Sequence, residues 1–253
     1  MSDCCEEFEL SVDGNTLRGK IYCPSPGLES PKGSLIFCHG IPGALKAPHD
    51  PGYAQLAGKL SKCGYLSVTF NFRGAGESSG DFDILGWVID LKSVLNYIAR
   101  LCPSSITLFG FSAGAAVSVY VAAHDGRVSR LVICGCPADF DSILNKIKAD
   151  TFLQRARDVG IIRNPAFPLN HIEWARGFRV VKSEEWISHI KSVPKLILHG
   201  NLDDTVPVDH AHRLYDNAQQ PKELLIIEGG GHRLRLNPQA MAAAQKWLAR
   251  TSE

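Results

Sequence analysis

The chain has 253 residues, 45% of them apolar and 21% charged, with a formal net charge of +1. That is long enough for one large α/β domain or two small ones, and the composition excludes wholesale disorder. The near-neutral balance, without a basic or acidic block, gives no electrostatic footprint for nucleic acid or for an anionic membrane.

The opening "MSDCCEEFEL" carries acid where a secretory signal needs a basic start and an apolar run. No stretch approaches the about 18 uninterrupted apolar residues of a membrane span. A cytoplasmic location is expected, with the eight cysteines as reduced thiols scattered through apolar segments. "EEFELSV" and "TLRGKIYC" read as two strands joined at Asp13-Gly14, a hairpin signal. "SLIFCHG" is a short apolar strand, the stretch around "YAQLAGKLSKCG" is helical, and "YLSVTFNF" is again a strand. "ILGWVIDLKSVLNYIARL" has helical spacing, with Ile84, Trp87, Val88, Leu91, Leu95 and Ile98 on one side. "ITLFG" leads into a helix from Ala113, and "RLVICG" is another buried strand. "KLILHG", a helix near "HAHRLYDNA", "ELLIIEG" and the helical "PQAMAAAQKWLAR" complete the series.

Short apolar strands alternating with helices imply an α/β fold: a mostly parallel eight-stranded sheet, helices on both faces and an antiparallel edge from the opening hairpin. Residues 137–191 break that rhythm with helical fragments, prolines at 165 and 168, and the aromatics Phe140, Phe152, Phe167, Trp174, Phe178 and Trp186. The expected division is a core of residues 1–136 and 192–253 with 137–191 inserted as a lid over the carboxyl edge of the sheet. Phe140, Trp174 and Trp186 are its expected substrate-binding residues.

Ser112 lies between glycines in Gly110-Phe111-Ser112-Ala113-Gly114, where a strand passes into a helix. Either the serine makes a tight structural turn, or it is a nucleophile held at the tip of that turn. Small flanks suit a strained apex, and the Ala113 amide at the helix start can stabilise an oxyanion. A serine hydroxyl needs a base. His232 follows a strand in the glycine-rich "LLIIEGGGHRL", whereas His39 and His199 each precede a glycine at a strand end and suit turn organisation. The base needs a carboxylate, and "LILHGNLDDTVPV" offers Asp203 and Asp204, of which one only can face the histidine.

With "HGIPG" from His39, "NFRGAGESSG" from Asn71, "GFSAG", "HGNLDDTVP" from His199 and "GGGH" ending at His232, the chain resembles the α/β-hydrolases over nearly its whole length. Within them it is similar to serine aminopeptidase-like hydrolases and the cinnamoyl or feruloyl esterases. The resemblance implies a catalytic triad of Ser112, Asp203 and His232 in the family's order, with Asp203 chosen over Asp204. It also implies an oxyanion hole from the amides of Ile41 and Ala113. Asn71 stands where the family usually has aspartate, and Arg73, Gly74 and Gly76 match as structural residues.

The implied function is a carboxylesterase working through an acyl-enzyme on a small to medium, uncharged acyl or aryl ester. Amide, peptide or thioester hydrolysis by the same triad is the alternative, with Glu173, Glu184 or Glu185 as candidate anchors for a substrate amine. A non-catalytic binding protein ranks last. The chemistry needs neither metal nor organic cofactor, and the expected partner is a small-molecule ester rather than nucleic acid or membrane, with a homodimer left open.

Overall fold

Asp13 and Gly14, both at positive φ (48° and 74°), turn the chain between β1 (Cys5–Val12) and β2 (Asn15–Tyr22). Such a two-residue turn matches the twist of the strands it joins. The computed structural model describes residues 5–24, 30–43, 52–141 and 149–251; Cys4, His49 and residues 142–148 of the insertion lie outside them. Beyond the hairpin come β3 (Ser34–Cys38), β4 (Leu66–Phe70), β5 (Ile106–Phe111), β6 (Val128–Cys134), β7 (Lys195–Gly200) and β8 (Lys222–Ile227). They form one eight-stranded sheet in the order β1-β2-β4-β3-β5-β6-β7-β8. The β1–β2 and β2–β4 pairings are antiparallel and the rest are parallel, so β2 alone runs against the others.

The apolar strands hide an alternation that appears once their two faces are distinguished. Ile36, Leu108, Leu131, Ile133 and Ile197 enter one core, beneath α2 (Ile84–Leu101), α3 (Ala113–His124) and α7 (Asp209–Asn217). Leu35, Phe37, Phe109, Val132 and Leu196 enter the other, beneath α1 (Ala54–Lys62) and α8 (Pro238–Arg250). A period-2 strand covered on both sides needs apolar residues at every position, which explains the unbroken runs. Asp83 caps α2 by accepting from the Leu85 and Gly86 amides, and Asn237 caps α8 through the Ala240 amide.

The described part of the insertion contains α4 (Ala149–Asp158), α5 (His171–Val180), α6 (Ser183–Trp186) and a 3₁₀ turn at Ile187–His189. Phe82 in the loop before α2 anchors it twice. The Phe82 amide donates to the Ile161 carbonyl at 2.8 Å, and Trp174 Nε1 donates to the Phe82 carbonyl at 3.0 Å. Leu153, Ile161, Trp174 and Phe178 are continuous with the core over α2.

Arg73 is tied to the fold as expected of a structural residue. Its amide and its Nε both donate to the fully buried Asp90 carboxylate, at 2.8 and 2.9 Å. Removing one member of such a buried pair typically costs about 3–5 kcal/mol. Cys5, Cys38, Cys63, Cys102, Cys134 and Cys136 are free thiols, and burial pushes Cys38 and Cys136 up to about 12. Among the described residues no helix is long and apolar enough to cross a membrane.

Candidate active site

Ser112 follows β5 directly, and its amide donates to the Cys134 carbonyl at 2.9 Å, one step beyond the β5–β6 pairing. Its own backbone is strained, with φ 52° and ψ −128°. Close approach on both sides explains the flanking glycines. A Cβ at Gly110 would strike the Ala115 backbone, and one at Gly114 would strike the Cys38 and His39 carbonyls. The helix therefore starts hard against the end of β3, with Ser112 held at the apex.

His232 is carried by the loop after β8, and Asp203 by the loop after β7. The two loops are knitted together. The Leu202 amide donates to the Gly230 carbonyl at 2.9 Å, the Gly229 amide to Asn201 Oδ1 at 2.8 Å, and a Cβ at Gly200 would collide with the Gly230 carbonyl. As a result His232 Nδ1 lies 2.8 Å from Asp203 Oδ2, and His232 Nε2 lies 3.0 Å from Ser112 Oγ. Asp203 Oδ1 accepts the Thr205 and Val206 amides at 3.0 and 2.8 Å. Burial alone would raise the Asp203 carboxyl, but hydrogen bonds from His199, His232 and the Val206 amide outweigh it and hold the group well below the ordinary carboxylate range. This arrangement lets an imidazole take a hydroxyl proton while a fixed carboxylate stabilises the resulting charge. Asp204, by contrast, is exposed and among the described residues meets only the Thr205 hydroxyl, at 3.2 Å.

The loop after β3 faces Ser112. A Cβ at Gly40 would come within 2.8 Å of Ser112 Cβ. His39 is buried and donates from Nδ1 to the Gly40 carbonyl at 2.8 Å, while its Nε2 accepts the Phe72 amide at 3.0 Å. Burial lowers its pKa to about 4, so this ring organises the turn as a neutral group. Because the Gly40 carbonyl points at His39, the Ile41 N–H of the same trans peptide points the opposite way. Ala113 is the first residue of α3, so its amide has no partner within the helix. Ile41 and Ala113 both line the cleft that contains Ser112 and His232.

Phe140 lines that cleft, and so do Phe152 and Phe178 from the insertion. Trp174 and Trp186, expected among the substrate-binding residues, do not. Trp174 is buried against Phe82 and Phe178, and Trp186 packs on Tyr120, His124 and His189 with its Nε1 donating to the Val180 carbonyl. Trp174 packs on Phe152 and Phe178, which line the cleft, without lining it itself, and sequence position alone could not show the partners of either ring. The carboxylates of Glu173, Glu184 and Glu185 are likewise committed elsewhere or remote. Glu173 pairs with Arg176, Glu184 with Arg213 and Lys182, and none of Glu173, Glu184 and Glu185 lines the cleft. His199 was placed as a turn residue by its sequence context, which gave no sign of its nearness to Asp203.

The family model for the alpha/beta hydrolase fold matches residues 33–160, just over half of the chain. The chain belongs to the α/β-hydrolase family. Among relatives of this hydrolase is the uncharacterized protein YfhR of Escherichia coli O157:H7, 28% identical, which aligns with 90% of this chain and 73% of its own length. The lysophosphatidylserine lipase ABHD12 of Danio rerio is 30% identical over 81% of this chain, which spans half the length of that lipase. Est1E of Butyrivibrio proteoclasticus, solved with ferulic acid bound, superposes with a TM-score of 0.73. It is 20% identical and the match covers 96% of this chain and 98% of Est1E, a likeness of fold.

Proposed function

We propose that this α/β-hydrolase is a serine carboxylesterase that cleaves a small to medium, uncharged acyl or aryl ester through an acyl-enzyme. The observation that carries the reading is the unbroken line from Ser112 Oγ to His232 Nε2 at 3.0 Å and from His232 Nδ1 to Asp203 Oδ2 at 2.8 Å. His232 takes the Ser112 proton as Oγ attacks the ester carbonyl, and Asp203 stabilises the imidazolium. The Ile41 and Ala113 amides receive the oxyanion. His232 then passes the proton to the leaving alkoxide, and water repeats the sequence to release the acid.

Residues 137–191 act in this reading as a cap whose Phe140, Phe152 and Phe178 wall the acyl or aryl pocket. An uncharged group fits such walls. The commitment of Glu184 and Glu173 to arginines favours an ester over a peptide with a free amine. The relative named as a lysophosphatidylserine lipase supports ester cleavage.

The test is covalent labelling by a fluorophosphonate probe together with turnover of p-nitrophenyl esters, amino-acid anilides and acyl-CoA. Labelling and ester turnover should both vanish in Ser112→Ala, with a loss on the order of 10⁶ in kcat and an unchanged circular dichroism spectrum. Wild-type turnover in that variant would return Ser112 to a structural turn. Faster anilide or acyl-CoA cleavage would replace the ester assignment.

A further inference from the structure

No step above uses His199, although it is fully buried at the carboxyl end of β7 beside the acid loop. Its Nε2 lies 2.8 Å from the Val206 carbonyl oxygen and 3.4 Å from Asp203 Oδ2. A carbonyl can only accept, so the neutral ring carries its proton on Nε2. That N–H donates to the Val206 carbonyl with Asp203 Oδ2 close by, while Nδ1 is buried without a hydrogen-bond partner among the described residues. An apolar side chain here would leave no stranded nitrogen, so a histidine is costly at this position unless its other nitrogen does something.

We infer that His199 is a positioning residue for Asp203, so that the triad acid is held between two imidazoles. The inference rests on the triad reading above. Asp203 Oδ1 is fixed by the Thr205 and Val206 amides. Oδ2 lies 2.8 Å from His232 Nδ1 and 3.4 Å from His199 Nε2. Without His199, the only group holding Oδ2 would be the imidazole that Oδ2 has to orient. His199 is independent of substrate and of proton transfer, because its ring is fixed by β7 and by the Val206 carbonyl. Val206 closes the circuit, since its amide binds Oδ1 while its carbonyl binds His199. An acid that orients a base must itself be held within a fraction of an ångström.

Glutamine and asparagine separate this role from packing. Glutamine places an amide nitrogen as many bonds from Cβ as imidazole Nε2, whereas asparagine places one at the level of Nδ1. His199→Gln is therefore expected to keep kcat near wild type. His199→Asn should lose about 10²-fold in kcat, as for an ångström-scale misplacement, with KM changed by no more than about twofold. His199→Leu removes the stranded nitrogen as well as the donor; it should fold with a Tm at or above wild type and still lose kcat like asparagine. Wild-type kcat in the leucine variant, or equal kcat for the asparagine and glutamine variants, would overturn the proposal. Asp203→Asn and His232→Ala are measured alongside. If those two retain turnover, the triad reading has failed; if they abolish it and His199→Leu does not, only the role of His199 has.

Discussion

Asp203 and Asp204 are adjacent acids with opposite surroundings. Asp203 has both oxygens engaged, by two backbone amides and two imidazoles, and is fully shielded at the side chain. Asp203→Asn puts an amide where His232 needs an acceptor, which disfavours the required tautomer and leaves the imidazolium without its counter-charge. A loss of about 10⁴ in kcat is expected. Asp204→Asn removes a solvent-screened charge whose one hydrogen bond is to a neighbouring hydroxyl, and kcat should change little. Steady-state kinetics on one ester compares the two directly, and a reversal would shift the acid loop by one residue. Ser112 and His232 were legible because each stands in a small-residue turn that strand and helix patterning locates. The choice between the two acids was legible only through the family resemblance, since from the residues alone it depends on how a loop folds back by hydrogen bonds to residues 205 and 206. His199 was harder still: its partners lie on that same loop, and a histidine before a glycine at a strand end has many structural uses.

At the level of elements, the apolar runs and their intervening helical stretches already specified a parallel sheet, and Asp13-Gly14 specified its antiparallel edge. What patterning could not do was sort the aromatics of residues 137–191. Phe152 and Trp174 both read as large apolar residues on short amphipathic helices, yet Phe152 lines the cleft and Trp174 hangs from the Phe82 carbonyl. That difference is made by residue 82, far away in the chain. Phe152→Ala is expected to shift selectivity between long and short acyl esters by about 1–3 kcal/mol while sparing an acetyl ester. Trp174→Ala opens a cavity and strands the Phe82 carbonyl, so it should cost about 3–5 kcal/mol in stability and affect all substrates alike. A panel of chain lengths read beside thermal melts distinguishes the two. Uniform losses from Phe152→Ala would remove Phe152 from substrate selection.

For the whole molecule, the carboxyl edge of the sheet is where acid should act first. His39 ties the end of β3 to the loop after β4, donating to the Gly40 carbonyl and accepting the Phe72 amide. His210 on α7 accepts the Ala138 amide at the start of the insertion, and burial lowers its pKa as well. Protonating either ring places a second hydrogen where an amide already donates. His39 falls from its ordinary 6.5 to about 4 in the folded state. Between those values the unfolded chain binds more protons than the folded one, so stability is complete above about pH 6.5 and declines as pH falls toward 4. The 2.5-unit difference for His39 corresponds to about 3 kcal/mol. Asp203 has the opposite sign of perturbation, and its contribution is lost only on passing below the ordinary carboxylate range, outside this window. Urea unfolding at pH 7.5, 6, 5 and 4.5 should therefore show a steady fall in the midpoint. His39→Asn can still donate to Gly40 but cannot titrate, so its midpoint should depend less steeply on pH, with His210 supplying the remainder. If the two pH profiles run parallel, His39 is not the group that makes this edge acid-sensitive.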